Sequence, residues 1–170
     1  MWFGARPPRS LLEFGLEGCL AFHSLSKRSG MTGYRSAIVC GDPALVAEYR
    51  RCRAAMGQAM PAPTEAASVA AWGDEAHVED RRGVFRAKRD LVLGGLAALG
   101  LEVWPNETTF YVWVKVPAGH DDRSYTDLLL DAGIVASPGS FFGAGNEEWF
   151  RLALVPDLDG CRRALEAWPR

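Results

Sequence analysis

Apolar positions cluster in short runs near the start of the chain and at helical spacing behind them. Cys19 to Leu25 (CLAFHSL) reads as a short buried strand, and Ala37-Ile38-Val39-Cys40 reads as a second. The polar stretch between them is punctuated by Gly30 and Gly33. Gly41 ends the second strand. Asp42 then has the character of a helix N-cap with Pro43 at the first helical position, opening a helix to about Met56. Leu45, Val46, Tyr49 and Cys52 fall on one face of it. Pro61 and Pro63 break the pattern. Thr64 is expected to cap a further helix, whose apolar stripe is Ala67, Val69, Ala70 and Trp72.

Asp74 opens a long helix running to about Leu99, with Gly100 as its stop signal. At about 1.5 Å per residue it would reach roughly 39 Å, enough to join two lobes. The charged run Glu75–Asp90 is expected to be its wet face, and the helix turns apolar from Leu91. Behind it, Thr109 to Val116 (TFYVWVKV) is strongly β-prone. A helix is expected from Asp122 to Ala132, then a short strand Ile134–Ala136 and a Ser137-Pro138-Gly139 turn. A strand from Phe150 to Val155 and a closing helix from Leu158 to Trp168 complete a small α/β lobe. Residues 1–18 read as surface loop with one apolar turn at Leu11-Leu12, and Met1 as an artificial or late start.

With 170 residues and 48% hydrophobic content, the chain has the means to bury a core. A net charge of −2 with interspersed signs provides no electrostatic footprint for nucleic acid or an acidic membrane surface. No apolar run reaches the length of a membrane span, and the first residues lack a signal peptide's apolar core. Cys19, Cys40, Cys52 and Cys161 form no CxxC pair. Cys19 and Cys40 lie in apolar strand patterns, so buried thiols in a reducing cytoplasm are expected, with no metal site. His23, His77 and His120 stand alone; His23 could pack beside a ligand of the neighbouring loop, and the other two are expected to be solvated. Neither GxGxxG nor GxxxxGK[ST] occurs.

The chemistry concentrates in HSLSKRSGMTGYR, His23 to Arg35. Lys27 follows the first strand at the place where open α/β sheets put their ligands. Its amine is expected to be desolvated, with the Arg35 cation disfavouring its charge, as a nucleophilic lysine requires. Arg35 lies eight residues on, up to about 26–29 Å in extended chain. Gly30 and Gly33 are expected to supply positive φ, so that the loop folds back and both side chains converge. Ser24 and Ser26 add hydroxyl donors, and Arg35 a planar fork suited to phosphate. Ser26 serves equally well as a turn residue bonding its own backbone. Amine, hydroxyls and guanidinium together suit an aldehyde that carries a phosphate, and pyridoxal phosphate is that molecule.

SLSKRSGMTGYR resembles the cofactor-lysine segment of class I/II aminotransferases, which are fold type I pyridoxal-phosphate enzymes. SPGSFFGAGNEEWFRLALVP resembles their carboxyl-terminal domain. With AAWGDEAHVEDRR, the whole is most similar to bacterial N-succinyldiaminopimelate aminotransferases. The resemblance implies an α/β fold made of three parts. Residues 1–73 are a remnant of the cofactor-binding large domain, 74–100 a connecting helix, and 101–170 a small carboxyl-terminal domain. It implies that Lys27 binds the cofactor covalently and moves a proton at the substrate α-carbon, while Ser24, Ser26 and Arg35 hold the phosphate. Arg151, at the start of FRLALV, would grip the substrate α-carboxylate. Phe110 and Tyr111 either border the substrate pocket or belong to the core.

The partners implied are an amino acid and a 2-oxo acid, and the resemblance points to N-succinyl-LL-diaminopimelate with glutamate. The alternatives are another fold type I enzyme (an aspartate, aromatic or alanine aminotransferase, or a C–S lyase) and a non-catalytic remnant. A second copy or a companion chain would complete the protein. The family's aspartate on the pyridine nitrogen, which strengthens the electron sink, belongs to a stretch that would precede Met1. The two remaining large-domain strands would expose unpaired edges. The purified chain alone is therefore expected to bind the cofactor weakly and to transaminate little. A turnover number like that of an ordinary aminotransferase would contradict this.

Overall fold

The computed structural model describes residues 1–105 and 107–169. They form two compact units: Met1 with Ala5–Arg81, and Trp2–Gly4 with the chain from Arg82 onward.

In the first unit, β1 (Leu20–Ser24) pairs antiparallel with β2 (Ala37–Gly41), from Leu20 opposite Gly41 to Ser24 opposite Ala37. These two strands are the whole sheet among the described residues of the unit, so both outer edges lack a strand neighbour, as expected. The strands are not buried as expected: Ala21 is covered, but Phe22 is 59% exposed and His23 is exposed. Cys19 and Cys40 are only half-buried and Cys52 is exposed. A two-stranded ribbon has too little surface to enclose both faces of either strand. Asp42 closes the open end of the hairpin, accepting the Gly18 N–H at 2.9 Å and the Ala44 N–H at 2.8 Å at the head of α2 (Pro43–Ala55). No residue of α2 is buried.

Helix α3 spans Ala62–Gly73. Pro61 is its N-cap and Pro63 sits in its first turn, where a missing N–H costs nothing; Thr64 is inside the helix and not its cap. The inward face is Ser68 and Ala71, and Val69 is 69% exposed, contrary to the expected stripe. Ser68 turns inward because it reaches a buried polar partner, the Ser36 hydroxyl at 2.7 Å. Asp74 accepts the Ala76 N–H at 2.8 Å ahead of α4 (Ala76–Ala98), as the capping pattern predicts.

The second unit holds the main core. Strands β3 (Tyr111–Lys115), β4 (Ser137–Pro138) and β5 (Trp149–Ala153) form an antiparallel sheet in the order β3-β5-β4. The strand expected at Ile134–Ala136 is displaced to Ser137–Pro138. Proline is tolerated there because β4 is an edge, where one N–H has no ladder partner. Val112 and Val114 of β3 and Phe150 and Leu152 of β5 turn to one face. They pack with Val92 and Leu96 of α4, Tyr125 and Leu129 of α5 (Asp122–Asp131), and Cys161 of α6 (Leu158–Glu166). The buried Trp168 ring donates its N–H to the Tyr125 hydroxyl at 2.9 Å. Residues 1–18 are more ordered than a loop. Trp2 bridges Thr108, and Ser10 caps a 3-10 turn at Leu11–Phe14.

The charged run on α4 is not a uniformly wet face. Lys88 is buried with its ammonium 3.4 and 3.3 Å from the Leu154 and Val155 carbonyls, and the Arg82 guanidinium lies 3.4 Å over the Trp2 ring. Long cationic stems cover apolar surface, and rings and carbonyls receive their charge. His77, expected to be solvated, is half-buried and hydrogen-bonded on both ring nitrogens. His120 is exposed, its ring 5.3 Å from that of Tyr125. Among the described residues no helix is long and apolar enough to cross a membrane, and no three His, Cys, Asp or Glu side chains group as metal ligands.

Asp122 is 3% exposed. Burial alone would raise its carboxyl, but the Ser140 N–H, donated at 2.7 Å, and neighbouring donors outweigh it and hold the group below its ordinary 3.8. The stability this contributes is complete above that ordinary value and is lost as pH falls through the lowered folded value. Asp122→Asn, which keeps an acceptor oxygen and removes the titration, is expected to flatten the acid limb of stability. Urea midpoints measured from pH 6 down to pH 2 check this; an unchanged acid limb would count against it.

Candidate functional site

Ser24, Ser26, Lys27 and Arg35 all lie at or within one connection, the segment joining Ser24 to its register partner Ala37. Leu25 organises that segment. Its side chain is fully buried, its N–H donates to the Ser36 carbonyl at 3.1 Å, and its carbonyl accepts the N–H groups of Ser29 at 2.8 Å and Met31 at 3.2 Å. The chain after β1 thus makes one helical turn, α1 (Leu25–Arg28), and not the open loop expected. Ser24 is the N-cap of α1. Its hydroxyl oxygen accepts the Ser26 N–H at 3.1 Å, and the hydroxyl reaches the Ser36 carbonyl at 3.4 Å.

Lys27 is on the exposed side of this turn. The enclosure expected for its amine is not found, because a single turn and a two-stranded ribbon supply no wall above it. Ser26 is half-buried beside it. Gly30 takes a positive φ of 71° as expected, but Gly33 does not. The left-handed step falls instead on Arg35, at φ 51° and ψ 39°. The Arg35 guanidinium folds back to donate to the Thr32 carbonyl at 3.0 Å, and the side chain is exposed.

The supports of this segment were not legible as motifs. Ser36 and Ser68 are both buried and share a 2.7 Å hydrogen bond, and Ser68 also donates to the Thr64 carbonyl at 2.6 Å. Arg28 donates to the Ala71 carbonyl at 2.6 Å and the Asp74 carbonyl at 3.2 Å. It also pairs with Glu75, and its guanidinium lies 5.1 Å from the Trp72 ring centre. For Ser68 alone a signal existed, a hydroxyl among the small residues Ala66, Ala67 and Ala70.

In the second unit, Arg151 stands on the sheet face opposite the core, between buried Phe150 and Leu152 on β5 and opposite Trp113 on β3. Its guanidinium carbon is 4.0 Å from the Tyr111 ring centre and 4.1 Å from that of Phe142. Phe142 in turn meets Trp113 edge-on at 5.1 Å. Both rings lie within cation–π distance of the guanidinium. Tyr111 therefore belongs to the Arg151 cluster, whereas Phe110 packs on Phe85 at 5.6 Å against the core. Phe142, at the end of the 3-10 turn Gly139–Phe142, carried no signal in the sequence that it would meet Arg151.

The connection between β1 and β2 provides an exposed amine, two hydroxyls and a guanidinium. This donor set fits an aldehyde carrying a phosphate in kind. Comparison with known proteins bears on that fit. The pattern of the family "Aminotransferase class I and II" matches residues 1–167. The chain is 38% identical over 155 residues to the 4-dedimethylamino-4-oxo-anhydrotetracycline transaminase OxyQ of Streptomyces rimosus, covering 88% of this chain and 43% of that protein. It is 36% identical over 170 residues to an LL-diaminopimelate aminotransferase of Syntrophobacter fumaroxidans, covering 98% and 44%. An aminotransferase from Neisseria meningitidis Z2491 superposes with a TM-score of 0.87 at 33% identity, covering 98% of this chain and 45% of that one. The chain thus spans somewhat over two fifths of the length of these relatives.

Ser68→Ala removes the partner of the buried Ser36 hydroxyl, which is expected to cost about 1–3 kcal/mol. The Ser36→Ala/Ser68→Ala pair is expected to recover most of that loss, as in a double-mutant cycle. Urea unfolding followed at a first-unit reporter such as Trp72 reads both; a loss in the double variant equal to the sum of the two single-variant losses would rule out the coupling.

Proposed function

We infer the function from one premise: the chain belongs to the aminotransferase class I and II family. It is an aminotransferase by family, and its fold is the carboxyl-terminal part of a fold type I aminotransferase. We propose that it serves in transfer of an amino group between an amino acid and a 2-oxo acid, with pyridoxal phosphate as cofactor. The observation that carries this reading is the placement of Ser24, Ser26, Lys27 and Arg35 in one connection of a chain that matches the family over nearly its whole length. We assign residues 1–73 to the cofactor domain, 74–100 to the connecting helix and 101–170 to the small domain.

Pyridoxal phosphate, when bound, supplies an aldehyde that captures the amino group and a conjugated ring that takes up electron density from the substrate α-carbon. The other work falls to this chain's residues. The Lys27 amine holds the cofactor and moves the proton at the α-carbon. The guanidinium of Arg35 and the hydroxyls of Ser24 and Ser26 bind the phosphate, with Ser24 sharing its oxygen with the Ser26 amide. Arg151 presents two parallel N–H groups to the α-carboxylate, oriented by the Tyr111 and Phe142 rings.

That carboxylate is common to all α-amino acids, so Arg151 selects the class and not the side chain. Our reading of the substrate is N-succinyl-LL-diaminopimelate with glutamate, supported by the resemblance of the lysine segment. Free LL-diaminopimelate is the second reading, supported by the relative of that name. The exposed edges of β1 and β2 support completion of the sheet by a second copy or a companion chain. The free thiols support a reducing, cytoplasmic setting.

Borohydride trapping with pyridoxal phosphate, followed by peptide mass mapping, tests the assignment. Of the three lysines, Lys27, Lys88 and Lys115, the label is expected on Lys27. Pyridoxal without phosphate is expected to lose that preference. Arg35→Ala is expected to lower Lys27 labelling about tenfold to a hundredfold, the equivalent of the ~1.5–3 kcal/mol of a hydrogen bond to a charged group. Labelling indifferent to the phosphate and to Arg35 would overturn the reading.

A further inference from the structure

We propose that Ser29, His77 and Asp74 form a second reaction centre, a serine nucleophile that takes acyl groups from small carboxylic esters. It lies wholly in the first unit and is independent of the cofactor reading. The Ser29 hydroxyl is 2.8 Å from His77 Nε2, and His77 Nδ1 is 2.9 Å from Asp74 Oδ2. Nucleophile, base and orienting carboxylate therefore stand in the order and at the distances of a Ser-His-Asp triad.

The protonation pattern follows from the contacts. The hydrogen bond from His77, with the nearby backbone amides, holds the Asp74 carboxyl below its ordinary range. An ionised carboxylate only accepts, so Nδ1 carries the proton, and Nε2 presents its lone pair to the Ser29 hydroxyl. An Asp and a His three residues apart at a helix start could be simple capping. The third member separates the two readings: Ser29 comes from a segment 48 residues away, and its hydroxyl meets the ring nitrogen that capping leaves over. Each member is fixed by its own backbone. The Ser29 N–H donates to the Leu25 carbonyl at 2.8 Å, Asp74 Oδ1 accepts the Ala76 N–H at 2.8 Å, and Arg28 ties the end of α1 to the Ala71 and Asp74 carbonyls.

The surroundings suit a small ester. The His77 side chain is 28% exposed and that of Asp74 51%, so an ester and its leaving group have access. Gly30, the residue after the nucleophile, takes a positive φ of 71° and turns the chain away from the end of α1. The Arg81 guanidinium packs against Gly30 so closely that a Cβ there would lie 2.6 Å from Nη1. Beyond Gly30 a shallow concavity of about 490 Å³, lined by Met31, Thr32, Tyr34 and Thr64, has room for a short acyl chain.

The step is balanced within these groups. Ser29 Oγ forms a bond to the ester carbonyl carbon as its proton passes to His77 Nε2. The bond from that carbon to the alkoxy oxygen breaks, and the alcohol leaves with the proton from Nε2. Water then adds to the acyl carbon, giving up a proton through His77. The acid departs as Ser29 regains its hydrogen.

The test uses the whole 170-residue chain without added cofactor. A fluorophosphonate probe is expected to add once, at Ser29 by peptide mapping, and 4-nitrophenyl acetate is expected to show a burst of about one equivalent. Ser29→Ala is expected to abolish both. His77→Gln is expected to slow labelling by about 10²–10⁴-fold, the usual contribution of a general base. Asp74 acts through His77 as a positioning residue; Asp74→Ala is expected to slow labelling and Asp74→Glu to restore part of the rate. If a variant unfolds, the native chain decides alone. A label absent from Ser29, or spread evenly over Ser24, Ser26 and Ser29, overturns the proposal, as does an unchanged rate in folded His77→Gln.

Discussion

Leu25 is the anchor on which the first unit's chemistry depends. Its side chain is fully excluded from water, and its peptide groups bond both to the chain behind β1 and to the chain ahead of β2. Burying a leucine contributes about 1.5–3 kcal/mol. Here that contribution orders a turn too short to be stable on its own, since isolated helices below about a dozen residues are marginal. Lys27 and Ser29 inherit their positions from this anchor: each lies within one turn of it, on an element with no independent stability. The same contact explains why the lysine is exposed. Leu25 occupies the inward side of the turn, and Lys27, two residues on, faces elsewhere.

A second constraint of the same kind operates in the other unit. Strand alternation sends Phe150 and Leu152 into the core and leaves Arg151 on the opposite face. A slip of one residue would bury the guanidinium and expose the phenyl ring, so hydrophobic burial fixes the arginine's side of the sheet. The rings of Tyr111 and Phe142 then hold its guanidinium within about 4 Å of their centres. In both units a buried apolar residue positions an adjacent charged one.

Polar residues of α3 and α4 are used in ways that composition does not announce. Lys88 faces carbonyls, Arg82 covers Trp2, Ser68 pairs with Ser36, and His77 bridges Ser29 and Asp74. Each is charged or polar in a run that periodicity alone assigns to solvent. What distinguishes them is a partner far away in sequence, in the case of His77 at a separation of 48 residues. Local pattern carries no information about such a partner.

Much was nevertheless determined by the sequence alone. The cap at Asp42, the start of the long helix at Asp74, the aromatic and β-branched strand within Thr109 to Val116, and the serine-lysine-arginine spacing are all local. They follow from backbone sterics, capping and side-chain period, which act over a few residues. Tertiary structure decided which faces are inward. It placed Ser68 and Ala71 inside in preference to Val69, moved β4 onto Ser137–Pro138, and gave the left-handed step to Arg35 rather than Gly33. Those outcomes depend on how closely two backbones approach and on whether a distant hydroxyl or carbonyl is available. Both are properties of the packed chain and of no segment within it.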